Sequence, residues 1–351
     1  MTPENNIPPH KKTAAEVLKS KTSLPVIVAP MFLVSTPTMA LAACKEGLVG
    51  SFPALNQLTA VGLEKWLIEM NAGLEKLQQA HLGKTIAPYA VNLIVNKNNP
   101  RLAEDLALCV KYKVPVIITS LGAVSTVVDQ IHAYGGIVLH DVTTVEHAKK
   151  AVAAGVDGVI AVSAGAGGHA GTRNPLSLVN EIREFFDGIV ALAGCLSTGQ
   201  DILSAQVMGA DFAYMGTRFL STQESGADQD YKQMICDAAA ADILYTSAVS
   251  GIPANFLRQS LEKAGFDLEK LKKEGANAGK LKSLNAIGDE AQAWKTVWSA
   301  GQGVSNIHDI PTIAALADRL KQEYASTRQR LIVKTGSAPP SAKPPAPKAP
   351  F

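Results

Sequence analysis

The sequence predicts a soluble α/β protein built as a (β/α)8 barrel, with a helical insertion or subdomain in the C-terminal third. Two observations lead to this prediction. Eight short apolar runs, bounded by glycine, proline or asparagine, have the pattern of buried parallel strands. Amphipathic stretches with apolar residues at helical spacing separate most of these runs.

The predicted strands follow one another in a single series. The segments TPTMALAACKEG, PRLAEDLALCVKYK and TVEHAKKAVAAG come after the first, third and fifth runs and predict helices. Eight such units without a break favour a closed barrel over a doubly wound sheet, which is the structural alternative. The predicted strands are residues 24–30, 48–52, 86–94, 114–120, 137–142, 158–164, 189–194 and 212–219.

The two ends of the chain and one internal region depart from this alternation. We expect an N-terminal extension over residues 1–21, the barrel core over 22–226 and a charged, helical insertion over 227–290. Residues 291–334 return to the barrel with a final helix. The tail, residues 335–351, is rich in Pro, Ala and Lys and is predicted to be disordered, because it cannot bury enough apolar surface to offset its ordering entropy.

Composition narrows the class of function. The chain has 351 residues, of which 47% are hydrophobic, and a formal charge of +2 without a broad basic surface. This balance favours a small-molecule partner over nucleic acid or a membrane. The four cysteines show no CxxC spacing, so we expect reduced thiols, no metal and a cytoplasmic protein. A homo-oligomer is compatible with the sequence.

The most informative motif is AVSAGAGGHAG, residues 161–171, at the end of the sixth predicted strand. In a barrel the chemistry lies at the C-terminal ends of the strands. Glycines there let the backbone approach a flat ligand, and His169 can exchange protons near neutral pH. The alternative is a flexible glycine-rich loop with an incidental surface histidine.

A second segment, residues 191–220, indicates a phosphorylated ligand. Gly194 ends the seventh strand, and Gly216 and Thr217 end the eighth, where barrels commonly bind phosphate with backbone N–H groups and a hydroxyl. These glycines suit tight βα turns equally well. Neither GxGxxG nor GxxxxGK[ST] accompanies them, which disfavours a Rossmann or P-loop site.

Further candidates stand at the ends of other strands. Met31 follows the first strand, and Asn92 lies near the end of the third, where an amide can recognise the edge of a heteroaromatic ring. His140 and Asp141 end the fifth strand, and there a carboxylate beside an imidazole can tune a pKa. Asp141, Thr143 and Thr144 are also suitable N-cap residues for the following helix.

Taken in order, APM, VNL, AGAGGHAGT, GADFAYMGTRF and WSAGQGV resemble the motifs of the nitronate monooxygenase family, formerly called 2-nitropropane dioxygenases. The resemblance covers about residues 24–331, and the family's members are FMN-dependent TIM barrels. It implies that His169 is the catalytic histidine and that residues 299–303 close over the flavin. It also implies FMN contacts from Met31, Asn92, Gly167, Gly168, Gly194, Met215, Gly216 and Thr217.

Two departures leave the subfamily open. Val162 stands where one branch of the family has glutamine, and Gly194-Cys195 stands where many members have a glycine pair. The resemblance implies FMN-dependent oxidation of alkyl nitronates by O2. The alternatives are an NAD(P)H-dependent flavin reductase of quinones or enoyl thioesters and a non-catalytic flavin-binding protein. We also expect substrate preference to depend on the irregular region, for example on Tyr245 or Phe256.

Overall fold

Eight parallel strands form a closed barrel at the centre of the molecule. The computed structural model describes residues 13–96, 98–122, 125–249, 251–274 and 297–335. The strands of the chain are β1 Val26–Val28, β2 Gly50–Pro53, β3 Tyr89–Ile94, β4 Val116–Ser120, β5 Ile137–Val142, β6 Gly158–Val162, β7 Gly168–His169, β8 Ile189–Ala193, β9 Phe212–Met215, β10 Ile243–Thr246 and β11 Ala254–Leu257.

Helices surround the barrel and follow most of its strands. They are α1 Ala14–Ser20, α2 Pro37–Lys45, α3 Ala60–Ala80, α4 Leu102–Lys111, α5 Ser125–His132, α6 Val145–Ala153, α7 Pro175–Arg183, α8 Gly199–Val207, α9 Thr217–Leu220, α10 Gln229–Asp237, α11 Arg258–Lys263, α12 Leu268–Glu274 and α13 Ile313–Thr335. Short 3-10 turns occupy Ala54–Asn56, Ala240–Asp242 and Gln302–Asn306. Threonines start several helices: Thr144, for example, accepts a hydrogen bond from the His147 backbone N–H at the start of α6.

The sheet order is β1-β9-β8-β6-β5-β4-β3-β2, and its two edge strands meet. The N–H of Val28 donates to the carbonyl of Val49 at 2.8 Å, and the N–H of Val49 donates to the carbonyl of Val26 at 3.0 Å. These bonds close the barrel between β1 and β2. All eight predicted strands are present, and the closure excludes the doubly wound sheet.

Alternation along each strand separates two apolar regions. One set of side chains fills the barrel, including Ile118, Leu139 and Phe212. The intervening set, including Ile117 and Val138, packs against the surrounding helices. The last inward-facing residue of each strand therefore lies at the C-terminal mouth of the barrel, where the site is built.

A helix closes the opposite, N-terminal end of the barrel. The predicted extension over residues 1–21 contains α1, which begins with a capping box between Thr13 and Glu16. Leu18 on this helix is 1% exposed and belongs to the cluster that fills the barrel. The described part of the extension is therefore an integral part of the core, because its apolar side chain plugs the barrel.

The region after α9 is a mixed α/β unit. We predicted a helical insertion, and the structure adds two strands, because β10, β11 and β7 form a small antiparallel sheet. Sequence periodicity missed these strands since each has only four residues. Part of the predicted insertion, residues 275–296, and the predicted tail beyond Thr335 lie outside the described residues.

Among the described residues, no helix combines the length and apolar character needed to cross a membrane.

Candidate active site

A cavity of about 960 Å³ opens at the C-terminal ends of the barrel strands. Its walls come from the loops after the strands, from β7 and from the segment between residues 299 and 303. This is the position where barrel enzymes carry their chemistry, and the volume suits a cofactor together with a small substrate.

The floor of the cavity consists of the inward-facing polar side chains Asn92, Ser120, Asp141 and Tyr214. Asn92 Nδ2 donates to Ser120 Oγ at 2.8 Å and to the carbonyl of Ile118 at 3.2 Å. Ser120 Oγ in turn donates to Asp141 Oδ2 at 2.5 Å. The donors therefore run in one direction, from β3 through β4 to the carboxyl group on β5.

The floor is a site of perturbed protonation. Burial raises the pKa of Asp141 to about 6, and the bond from Ser120 opposes part of that rise. Burial also raises the pKa of Tyr214, and the charge of Asp141 raises it further. Asp141 Oδ1 is buried and has no hydrogen-bond partner among the described residues. The floor therefore presents a carboxyl group that retains its proton to an unusually high pH.

His140 and Asp141 do not act as a pair, because successive residues of a strand point to opposite sides. His140 faces the outer side of β5, where it still borders the cavity, and its Nδ1 is 2.8 Å from the Thr119 hydroxyl. Burial, together with the nearby His147, lowers the pKa of His140 to about 4. Of the three residues predicted as possible N-caps of α6, Thr144 caps the helix and Asp141 does not.

His169 projects from the upper wall on a backbone segment with regular pairing. It forms β7 with Gly168, and β7 pairs antiparallel with Ala254 and Asn255 of β11. Gly168 has φ +69°, a conformation that glycine adopts at little cost. The half-buried imidazole of His169 lines the cavity. The glycine-rich segment is thus a positioned strand and turn rather than a free loop.

A network of hydrogen bonds fixes this segment to the late loop, residues 299–303. The N–H of Gly168 donates to Ser299 Oγ at 2.6 Å, and Ser299 Oγ donates to the Asn255 carbonyl at 2.6 Å. The Tyr231 hydroxyl donates to the Ser299 carbonyl, and its ring stacks on Trp298 with centroids 4.9 Å apart. These contacts hold His169 at one place on the cavity wall.

Another part of the cavity wall is a glycine cradle formed by Gly167, Gly194, Gly216 and Gly301. A Cβ at Gly194 would lie 2.3 Å from Ser163 Oγ, and one at Gly167 would lie 2.9 Å from the Gly301 nitrogen. Within the described residues, no hydrogen bond uses the N–H groups of Gly194 or Gly216. The protein's own packing therefore requires glycine at Gly167 and Gly194, and the N–H groups of Gly194 and Gly216 are backbone donors that suit the phosphate of a flavin.

Thr217 and Cys195 complete this wall. Thr217 Oγ1 accepts a hydrogen bond from the Gly301 N–H at 3.0 Å, which links the barrel to the late loop. Cys195 has φ +57°, and its thiol lies within 4.0 Å of Gln302 Oε1. The Cys195 side chain is accommodated beside the cradle, and Cys195 itself lines the cavity. The residues present therefore fit a bound flavin.

Eight of the nine predicted site residues line one cavity: Met31, Asn92, Gly167, Gly168, His169, Gly194, Gly216 and Thr217. Met215 does not line it. Its side chain is 1% exposed and packs outside the barrel wall with Val26, Val28 and Phe219. The Met215 side chain therefore makes no contact with the cavity. Its backbone carbonyl accepts a hydrogen bond from the Ala29 N–H.

Sequence reasoning missed four polar residues of the site. Ser120 and Tyr214 are the last inward-facing residues of their strands, so strand alternation could have identified them. Tyr231 and Asn255 belong to the insertion, and no sequence signal connects them to His169. Phe256, expected as a specificity residue, is buried in a separate apolar cluster, and the Tyr245 hydroxyl donates to the Ala170 carbonyl. Neither side chain lines the cavity.

The described residues contain no group of three or more His, Cys, Asp or Glu side chains able to bind a metal ion. 

Comparison with known proteins agrees with this geometry. The family model described as nitronate monooxygenase matches residues 15–323. The nitronate monooxygenase of Paraburkholderia phytofirmans is 26% identical over 350 residues, covering 87% of this chain and 94% of that protein. A probable nitronate monooxygenase of Staphylococcus haemolyticus is 33% identical over 192 residues, 50% of this chain, and the match spans only 54% of that relative.

Two solved structures share the fold over most of their length. FabK from Thermotoga maritima has a TM-score of 0.72 and 25% identity, covering 92% of this chain and 98% of that one. A nitroalkane oxidase from Streptomyces ansochromogenes has a TM-score of 0.72 and 26% identity, covering 90% and 99% of the two chains.

Proposed function

Because the chain belongs to the nitronate monooxygenase family, we propose that it binds FMN and oxidises alkyl nitronates with O2, using His169 as its catalytic residue. Its relatives are oxidoreductases, and the protein is an enzyme of that class. The proposal therefore concerns the cofactor, the substrate and the residues that act on it.

One observation carries the proposal: a single cavity joins the His169 imidazole to the glycine cradle. The N–H groups of Gly194 and Gly216 and the Thr217 hydroxyl suit a phosphate, while Met31, Asn92, Gly167 and Gly168 suit the flat ring of FMN. For Met215 we propose a contact with FMN through the backbone alone, because its side chain packs away from the cavity. A bound flavin would supply the electron-accepting chemistry and the reaction with O2.

The chain itself binds and orients the substrate. His169 lies on the wall that faces the floor, so its imidazole can donate a hydrogen bond to the oxygens of a nitronate. When the substrate is a neutral nitroalkane, a ring nitrogen of His169 accepts the proton from the α-carbon, and the electron pair of that C–H bond remains on the substrate as the nitronate. The late loop shields this region from water.

Anaerobic mixing of the purified yellow protein with propionate 3-nitronate tests the proposal. We expect the flavin absorbance to bleach rapidly, whereas NADH and NADPH leave it unchanged. Extraction of the cofactor and chromatography beside authentic FMN identify the flavin. A protein that contains no flavin, or one whose flavin does not respond to nitronates, contradicts the proposal.

A second candidate is an NAD(P)H-dependent reductase of quinones or enoyl thioesters. The structural likeness to FabK supports it, and the two departures at Val162 and Cys195 leave the subfamily open. Rapid anaerobic bleaching by a nicotinamide, with no response to the nitronate, selects this function. The third alternative, a flavin-binding protein without turnover, is wrong because the chain belongs to an enzyme family.

We further propose that the enzyme works in the cytoplasm on a small molecule. Four free cysteines support this location, two of them buried, since unpaired thiols are typical of a reducing compartment. Cell fractionation with detection of the native chain tests it, and recovery from an oxidising compartment contradicts it. Two further points remain proposals. Limited proteolysis tests the predicted boundaries of the barrel, the insertion and the tail. Light scattering tests whether the protein is a homo-oligomer.

A further inference from the structure

Asp141 is the only carboxylic acid among the described residues that line the cavity. Its two oxygens have different surroundings. Oδ2 accepts the Ser120 hydroxyl at 2.5 Å, while Oδ1 is buried and makes no hydrogen bond to any described residue. A buried oxygen without a partner is costly in a folded protein, and such atoms mark positions that a ligand completes.

We propose that Asp141 holds a proton on Oδ1 in the cavity floor and that the charge state of this carboxyl group sets the electron affinity of the bound flavin. This inference rests on the flavin of the proposed function. It assigns Asp141 a role separate from that of His169, which lies on the opposite wall and acts on the substrate.

The hydrogen-bond chain places the proton. Asn92 Nδ2 donates to Ser120 Oγ, so the Ser120 hydroxyl directs its own hydrogen to Asp141 Oδ2. An oxygen that accepts this hydrogen is the poorer site for a further proton. Oδ1 is therefore the atom that carries the proton when the carboxyl group is neutral.

No described cation forms an ion pair with the carboxylate form, although His147, Lys150 and His169 line the same cavity. Its neighbours across the floor are Ser120 on β4, Asn92 on β3 and the un-ionised Tyr214 on β9, and His140 lies on the other side of the strand. Apolar side chains of β6 and β8 fill the layer beneath. Two like charges close together in such a low-dielectric place oppose each other strongly.

The sign of the effect follows from this arrangement. Burial raises the pKa of Asp141 to about 6. Below that pH the carboxyl group is neutral, and above it the carboxylate would oppose negative charge arriving on a bound flavin. Reduction then favours proton uptake from solvent onto Oδ1. The flavin's midpoint potential should consequently fall more steeply with pH above about 6 than below it.

Midpoint potentials of the flavin-loaded protein, measured by spectroelectrochemical titration from about pH 5 to about pH 8, test the proposal. We compare wild type with Asp141→Asn, which keeps the shape and removes the charge. The two proteins should have nearly equal potentials at the acid end. The potential of the variant should become increasingly higher above about pH 6, because its flavin has no carboxylate beneath it.

Two further variants distinguish a change in flavin potential that the charge of Asp141 causes from a change that an altered structure causes. Ser120→Ala removes the donor that stabilises the carboxylate, so the change of slope should move to higher pH. Asp187→Asn removes the same charge from an exposed position outside the cavity and should superimpose on wild type. Wild-type and Asp141→Asn potentials that coincide, or that differ by a constant offset across the pH range, overturn the proposal.

The outcomes also separate this inference from the proposed function. A protein that binds no flavin overturns both. A flavin that ignores nitronates but shows the expected dependence on Asp141 overturns only the proposed reaction. A nitronate-oxidising enzyme whose potential is insensitive to Asp141→Asn overturns only the inference.

Discussion

His169 and Asp141 divide the chemistry of the cavity between two surfaces. His169 lies on the upper wall, where a strand pair fixes its backbone. Asp141 lies in the floor, where burial and the bond from Ser120 determine its charge. The two residues are therefore expected to respond differently to substitution: the first in turnover, the second in the potential of the flavin.

The substitution His169→Asn tests the upper wall. Asparagine keeps a hydrogen-bond donor but cannot accept a proton near neutral pH, so turnover of a neutral nitroalkane should fall by about 10²–10⁴-fold. Flavin content should stay at the wild-type level, because the glycine cradle is untouched. Steady-state O2 consumption and flavin absorbance measure the two effects. Turnover equal to wild type would remove His169 from the mechanism.

The substitution Gly194→Ala tests the cradle. Gly194 has φ +134°, and a Cβ there would lie 2.3 Å from Ser163 Oγ. The backbone must shift, at a cost of roughly 1–3 kcal/mol, and the N–H offered to phosphate moves with it. We expect flavin affinity, measured by fluorescence titration of the apoprotein, to fall by about tenfold or more.

Gly209→Ala is the matched control. Gly209 also has a positive φ, +103°, but lies after α8 and outside the cavity. It should lose stability in urea without losing flavin affinity. If both variants bind flavin equally well, the cradle does not hold the phosphate.

At the scale of elements, the strand pair β7 and β11 turns a glycine-rich segment into a support for the histidine. Ser299 links the two strands, since its hydroxyl accepts from the Gly168 N–H and donates to the Asn255 carbonyl. The insertion that supplies β11 therefore contributes to the active site, although it is distant from His169 in the sequence.

The substitution Ser299→Ala removes both hydrogen bonds and leaves the His169 side chain itself unchanged. Each hydrogen bond contributes about 1 kcal/mol, so the segment around Gly168 should open more often. Amide hydrogen exchange of residues 165–171 should accelerate by about tenfold, and turnover should fall with flavin content unchanged. Ser305→Ala, which loses one exposed bond to the Ala240 N–H, is the control and should leave that segment at the wild-type rate.

Another element, α13, ties the end of the chain to the barrel. It packs on α8, where a Cβ at Gly199 would lie 2.2 Å from the Leu320 carbonyl oxygen. Glu323 on α13 accepts the Gly199 N–H at 2.7 Å, which satisfies a donor at the start of α8. Among the described residues, α13 therefore packs in the outer ring of helices beside α8.

At the scale of the whole molecule, the two ends of the barrel have different roles: one carries the cavity, and the other is closed by packing. The cavity occupies the C-terminal mouth of the barrel, and Leu18 of α1 seals the N-terminal end. Because the two ends are separated by the filled barrel interior, stability and ligand binding can be altered independently.

Leu18→Ala tests this separation. Leu18 is 1% exposed, and truncation of such a side chain costs about 2–5 kcal/mol. The free energy of unfolding in urea should fall by that amount, with flavin affinity unchanged. Leu176→Ala, at a residue that is 55% exposed, should change stability by no more than about 0.5 kcal/mol. Equal effects of the two substitutions would show that α1 does not seal the barrel.

The sequence by itself determined the eight strands, their order and most of the site. Strands buried on both sides are continuous apolar runs, and in a parallel barrel their C-terminal ends must meet, so residues such as Asn92, His169 and Gly194 could be assigned to one mouth. The Met215 side chain lies away from the cavity for a related reason, because a motif identifies a segment and strand alternation decides which side chains face the cavity.

Only the tertiary structure decided how these residues are combined. Closure brings β3, β4 and β5 side by side, so the chain from Asn92 through Ser120 to Asp141 depends on register across three strands. The pairing of β7 with β11 joins residues more than eighty positions apart. Local periodicity carries no information about such contacts, because they form only when distant segments are packed around the same core.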